Sequence, residues 1–324
     1  MDISHFWAEL LTQVSQFLAQ YPGMQTALDL AAVVTPLALL LALPGLCAMA
    51  AAGQQLAISR QRSAYAKAAR QLSMLAAILG WILVLAGALL LYDARNSGLH
   101  PVCAAGRLWS WALVGAGTVC ASLHCACWRT LQRWALLHRL LAALGGIAAY
   151  LGAYMLLAAL VAQGQADSGI PPADSLQAML IPGEDSLLWN AIYYLPALAV
   201  SMAGGLGCLW MLLRRRRDDF GRDYYAAMLP WVARWARNGW LFLWMILLLF
   251  TCWSVIEEAH EALTMPAQDI LNHAIRLLLW LIPVMLWHIV ARSAAPMRHK
   301  LTLLLAQLLA TGFLVPFYMG LIWG

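Results

Sequence analysis

Seven of the eight histidines of this chain, all but His5, fall at two levels of an otherwise apolar sequence. His124 and His288 stand near the ends of two hydrophobic runs, with His138 and His299 close by in the following loops. His273 opens a run at the opposite level, and His100 and His260 lie in neighbouring loops. Neutral imidazole is an axial ligand for haem iron, and an ionisable group inside a bilayer is costly enough to mark function. The interval from His273 to His288 corresponds to about 22 Å of helix and returns to a similar face. Two stacked haem b groups on such a helix would carry electrons across a membrane. The spacing makes His124 and His288 candidate ligands of one haem, and His273 with His260 or His100 candidate ligands of another. The competing reading is that each imidazole hydrogen-bonds a headgroup or a loop carbonyl.

A second set of residues suits quinone chemistry, in which each carbonyl oxygen exchanges a proton as electrons move. Asp29, Asp93, Glu257, Glu258 and Arg276, beside His273, fall at one level, with Asp29, Glu257 and Arg276 as the candidate catalytic groups. Arg276 could instead pair with a loop carboxylate. The string CASLHCACW places Cys120, His124 and Cys127 on one helical face, but a single straight helix cannot surround a tetrahedral ion, so no metal site is expected. Phosphate-binding loops, nucleophile elbows and zinc-protease helices are all missing from the sequence.

The elements that must position these groups are membrane spans. Of the 324 residues 63% are hydrophobic and 11% charged, with mean hydropathy +0.72. A water-soluble core could not hide that much apolar surface, and a lipid bilayer need not hide it. Apolar runs of spanning length occur at 28–51, 72–92, 108–128, 140–162, 187–213, 238–256, 273–291 and 301–323, which predicts about eight transmembrane helices. All Lys and Arg except Arg95, Arg107 and Arg276 fall in alternate loops, after the odd-numbered runs. By the positive-inside rule these loops are cytoplasmic, and both termini lie on the outer, periplasmic side of a bacterial inner membrane. The basic excess therefore reflects topology and does not imply nucleic acid. Tryptophans near the run ends, among them Trp109, Trp128, Trp189 and Trp253, agree with interfacial positions. No secretory signal opens the chain. Cysteines lie mostly inside the runs, which argues against a disulfide framework and leaves a single Cys103–Cys252 bridge as conceivable.

The expected organisation is an amphipathic interfacial helix at 1–23, four-helix membrane bundles at 24–163 and 187–324, and an outer loop at 164–186 whose Pro and Gly predict irregular structure. Shifting the chain by 159 positions brings Gly45 onto Gly204, Tyr65 onto Tyr224, and Gly80-Trp81 onto Gly239-Trp240. A shift of 164 brings His124 onto His288 and Tyr154 onto Tyr318. Two parallel copies of a four-helix unit would explain both.

The segments ISRQRSAYAKAARQLSMLAAILGW from Ile58 and RRRRDDFGRDYYAAMLPWVARWARNGW from Arg214 carry a helix, a short Arg-rich loop with Tyr, then a helix. In this the chain resembles subunit I of cytochrome bd-type quinol oxidases over residues 37–90 and 196–250. The resemblance implies haem, quinone and partner subunits. It departs from the family where that family carries haem-ligating histidines, since ALDLAAVVTP from Ala27 and WNAIYYLPAL from Trp189 contain none, and the long quinol-binding loop is missing too. The expectation is an integral-membrane subunit of a respiratory complex, exchanging electrons between quinone and haem b or an outer-face cytochrome. The alternatives are a cofactor-free anchor or assembly subunit, and a small-molecule transporter.

Overall fold

The computed structural model describes residues 22–94, 99–131, 134–171, 174–181, 188–260 and 267–315, except for the side chains at 22–33, 93–94, 131, 190, 257–260 and 267–269. The proposed interfacial helix and the end of the last run lie outside the described residues. So do the side chains of Asp29, Asp93, Glu257, Glu258 and His260.

The described chain is helical and contains no strand. In order the helices are α1 (Pro22–Ser59), α2 (Ser63–Ala94), α3 (Pro101–Ala126), the single turn α4 (Trp128–Leu131), α5 (Ala135–Asp167), the short α6 (Leu176–Leu180), α7 (Leu188–Asp218), α8 (Arg222–His260), α9 (Ala267–Arg292) and α10 (Lys300–Gly312). Seven of them, α1, α2, α3, α5, α7, α8 and α9, are long and apolar enough to cross a membrane. The apolar α10 is described over 13 residues. The protein is therefore an all-α, multi-pass membrane protein. Leu85, Leu89, Leu151, Phe242, Leu249 and Leu278 point outward, exposed, as lipid-facing side chains must.

Contacts between helices follow the same circuit twice. α1 packs on α2, α2 on α3, α3 on α5 and α5 back on α1; α7 packs on α8, α8 on α9, α9 on α10 and α10 back on α7. The two circuits meet along α1 and α7. At that seam a Cβ on Gly45 would run into the Ala199 carbonyl, so the glycine is what permits the backbones to touch. Within the first circuit Gly117 and Gly145 do the same for α3 and α5: a Cβ on Gly117 would stand 2.8 Å from the Gly145 carbonyl.

The matched Gly-Trp pairs have parallel roles. The Trp81 indole donates to Ser122 Oγ on α3 at 3.1 Å, and the Trp240 indole donates to the Trp280 carbonyl on α9 at 2.8 Å. Their matched tyrosines reach across the seam in opposite directions. Tyr65 of α2 meets the Trp231 ring of α8 edge-on at 5.6 Å, while Tyr224 of α8 donates to Gln71 Oε1 of α2 at 2.7 Å. Gln71 in turn donates to Asp218, which holds Arg214 by an ion pair at 2.6 Å, and Lys67 lies over the Phe220 ring. These contacts put the α1–α2 and α7–α8 turns, with their arginines, at one end of the protein. Gln61 and Asp219 take the left-handed backbone conformation that reverses the chain in the two turns.

The segment 164–186 differs from the expected irregular loop. α5 continues to Asp167, and α6 follows, capped by the Ser175 hydroxyl accepting from the Ala178 amide at 3.2 Å. Met179 is buried over Gly106, and Tyr154 donates to the Leu180 carbonyl at 2.9 Å. Pro and Gly flank this small plug without excluding it, because one apolar side chain and one cap suffice to seat a single turn.

Candidate functional site

At the arginine-rich end of the first circuit, four helices each contribute one polar side chain to an apolar interior. Gln54 comes from α1, Ser73 from α2, His124 from α3 and His138 from α5; all four are buried, and both imidazoles are fully so. His138 Nε2 lies 2.8 Å from the His124 carbonyl, which can only accept, so Nε2 carries the proton and Nδ1 accepts from the Gln54 amide at 2.6 Å. The remaining Gln54 oxygen accepts from His124 Nε2 at 3.2 Å, which leaves His124 Nδ1 to accept from the Ser73 hydroxyl at 2.7 Å. The rings stack at 4.0 Å, and Trp128 closes edge-on against both. Every polar atom of both imidazoles is thus used with the rings neutral, which is how a buried polar group avoids a desolvation penalty.

This arrangement does not fit haem. An axial histidine offers a bare ring nitrogen to iron and usually donates through the other. His124 and His138 each spend Nε2 as a donor and Nδ1 as an acceptor, and their rings are stacked face to face with no space for a metal plane. His288, the matched residue on α9, is half-buried and lies elsewhere: its Nδ1 accepts from Arg237 of α8 at 3.4 Å, the guanidinium having only donors to offer. The structure brings His124 to His138, on the neighbouring helix α5 of the same circuit, and gives His288 a different partner.

The second circuit holds a cavity of about 450 Å3 near the end opposite the arginine-rich turns. Its floor is Trp280 of α9 and Phe313, just after α10, whose rings lie 5.3 Å apart, with Trp240 stacked behind Trp280 at 5.4 Å. Leu243, Leu247, Ile275 and Leu279 form apolar walls, and Tyr194, Asn272 and Arg276 supply the polar groups. The floor is fixed by α8: the Trp240 and Trp244 indoles donate to the Trp280 and Leu277 carbonyls, each at 2.8 Å, in the stretch of α9 where Pro283 withholds an amide proton from the helix ladder. Arg276 is exposed to the cavity side of the helix and has no hydrogen-bond or ion-pair partner among the described residues; the described chain contains a single salt bridge, Arg214–Asp218. It stands about 6 Å along α9 from Trp280, well inside the span. A cation at that depth calls for an acceptor.

Of the other sequence candidates, His273 lies half-buried one turn from Arg276 on α9. His100 precedes α3, with its Nδ1 buried and unpartnered. Asp29 and Glu257 occupy helix positions at the Arg276 end of α1 and α8. All seven cysteines are free, Cys103 buried and Cys252 exposed, so the conceivable bridge between them is not formed. Among the described residues no three His, Cys, Asp or Glu side chains converge as a metal site would require.

Gln54, Ser73, Asn272 and Phe313 were not singled out from the sequence. The first two gave little signal, since Gln54 lies beside Gln55 beyond the 28–51 run and Ser73 at the start of the 72–92 run, close to Gln71. The last two had none, because the cavity is assembled from four separate helices. No protein-family model, curated protein or solved structure matches the chain, so its function has to be read from these sites.

Proposed function

We propose that the protein is a subunit of a quinone-linked electron-transfer complex of the bacterial inner membrane, with its arginine-rich turns in the cytoplasm and the Arg276 cavity binding the quinone headgroup from the periplasmic half. The observation that carries this reading is the pairing of an aromatic floor, the Trp280 and Phe313 rings inclined at 37°, with an intramembrane cation, Arg276, that has no partner among the described residues, in a cavity of about 450 Å3. A quinone ring stacks on such a floor, and its carbonyl oxygen accepts from Arg276, with Asn272 and Tyr194 within the same lining. Oxidation of a quinol releases two electrons and two protons. Arg276 would stabilise the oxygen as its proton leaves, and Asp29 and Glu257, placed at the same end, would receive the protons. The electrons would pass to a redox centre on a partner subunit or an outer-face cytochrome. His273, with His260 or His100, remains a candidate haem ligand at that end.

The test is titration of the purified protein with a short-chain quinone, followed by quenching of tryptophan fluorescence. Saturable quenching that Arg276→Leu weakens at least tenfold is expected; equal quenching in both proteins would overturn the assignment. A second reading, a cofactor-free anchor subunit, draws support from the committed ring nitrogens of His124 and His138. It predicts neither quinone binding nor haem absorbance in a reduced-minus-oxidised spectrum.

A further inference from the structure

We infer that the groove between α7 and α8 on the arginine-rich side is a binding site for an anionic glycerophospholipid. The groove measures about 550 Å3, and Pro196, Val200 and Phe242 form its apolar bed. Trp231 and Trp235 flank it, and Arg234 and Asn238 supply its polar groups.

Depth gives the cation its meaning. Gly239 lets α8 close on α7, since a Cβ there would stand 2.7 Å from the Ala197 carbonyl. Ala197 lies about 14 Å along α7 from Leu188, near the centre of a bilayer. Arg234 stands about 7.5 Å beyond Gly239 toward the arginine-rich end, inside that leaflet, with its long side chain able to reach the headgroup level. It is exposed, and no described residue bonds or pairs with it.

The groove is also one-sided in its chemistry. Arg237 donates from Nε and Nη2 to Asn238 Oδ1, at 3.1 and 2.8 Å, so the amide oxygen of Asn238 is engaged and its NH2 group is left as donor. Arg234, Asn238 and the two indoles then offer donors only. A phosphodiester oxygen satisfies that set, and an acyl chain covers the apolar bed. A zwitterionic headgroup would bring an ammonium to a groove that has no carboxylate for it, which selects the anionic class. Because Tyr65 of α2 rests on the Trp231 ring, a lipid held here also braces the seam between the two helix circuits.

The experiment is thermal unfolding of the delipidated protein with added phosphatidylglycerol, phosphatidylcholine or inorganic phosphate, together with native mass spectrometry of retained lipid. Phosphatidylglycerol should raise the unfolding temperature and remain bound at one per chain, while phosphatidylcholine and phosphate do neither. Arg234→Gln should weaken the phosphatidylglycerol effect at least tenfold. Arg234→Lys, which keeps the charge, and Arg216→Gln, in the arginine run of α7, should retain most of it. Equal stabilisation by phosphatidylcholine or by inorganic phosphate would overturn the proposal, and so would an Arg216→Gln loss as large as that of Arg234→Gln. Quinone titration reads the Arg276 cavity separately, so the two assignments fail independently.

Discussion

The two helix circuits share one pattern of contacts, but the His124–His138 knot of the first and the Arg276 and Arg234 sites of the second treat polar groups in opposite ways. In the first, Gln54, Ser73, His124 and His138 tie four helices into a closed hydrogen-bonded knot with no donor or acceptor of the imidazoles left over. In the second, Arg276 and Arg234 sit on either side of the mid-level without partners among the described residues, and Ser201, Trp287 and Gln307 keep buried polar atoms unpaired. A satisfied polar network specifies one arrangement of helices, whereas an unsatisfied one is poised to receive something else. The difference separates a knot that holds four helices together from two sites left open to a ligand; the first circuit also keeps unpaired polar atoms, at His100, Arg107 and Gln163.

Substitutions sharpen this contrast. The largest expected effect is that of Gln54→Leu, which leaves His124 Nε2 and His138 Nδ1 buried without partners, at about 1–3 kcal/mol each. Thermal unfolding in detergent would measure it, and an unchanged midpoint would mean that the knot does not hold the first circuit. Next comes Gly45→Leu, which drives a side chain into the Ala199 carbonyl at the seam and should cost about 1–3 kcal/mol or prevent folding. Gel filtration and the unfolding midpoint would register it; tolerance at Gly45 would imply that α1 and α7 can part. Ser73→Ala removes one donor to His124 and should cost about 1 kcal/mol in the same assay. Smallest in stability is Arg276→Leu, which should leave the midpoint within about 0.5 kcal/mol while abolishing most quinone quenching. If Arg276→Leu unfolded the protein and Gln54→Leu did not, the assignment of holding and binding would be reversed.

Much of this architecture was legible in the residues. Seven apolar runs became long helices because a backbone in lipid must satisfy its own hydrogen bonds, and the alternation of arginines marked one end. Arg276 was visible as an outer-level candidate beside His273, at the start of an apolar run. The folding of 164–186 into α6 was not visible, since it depends on Met179 finding Gly106. Nor was the pairing of His124. The repeat suggested a partner across the protein, His288 on α9, while the structure gives it His138 on α5.

The sequence by itself determined that this is a helical membrane protein, where along each helix the ionisable groups stand, and which end is basic. Helical rise converts residue number into depth, and hydropathy converts composition into environment, without reference to any neighbour. Tertiary structure alone decided which side chains share a depth and also face one another. That depends on where glycines let backbones touch, at Gly45 of α1 against α7 or at Gly117 of α3 against α5, because close approach sets the rotation of each helix against the next. Those rotations turned His124 inward to Gln54 and left Arg276 and Arg234 open.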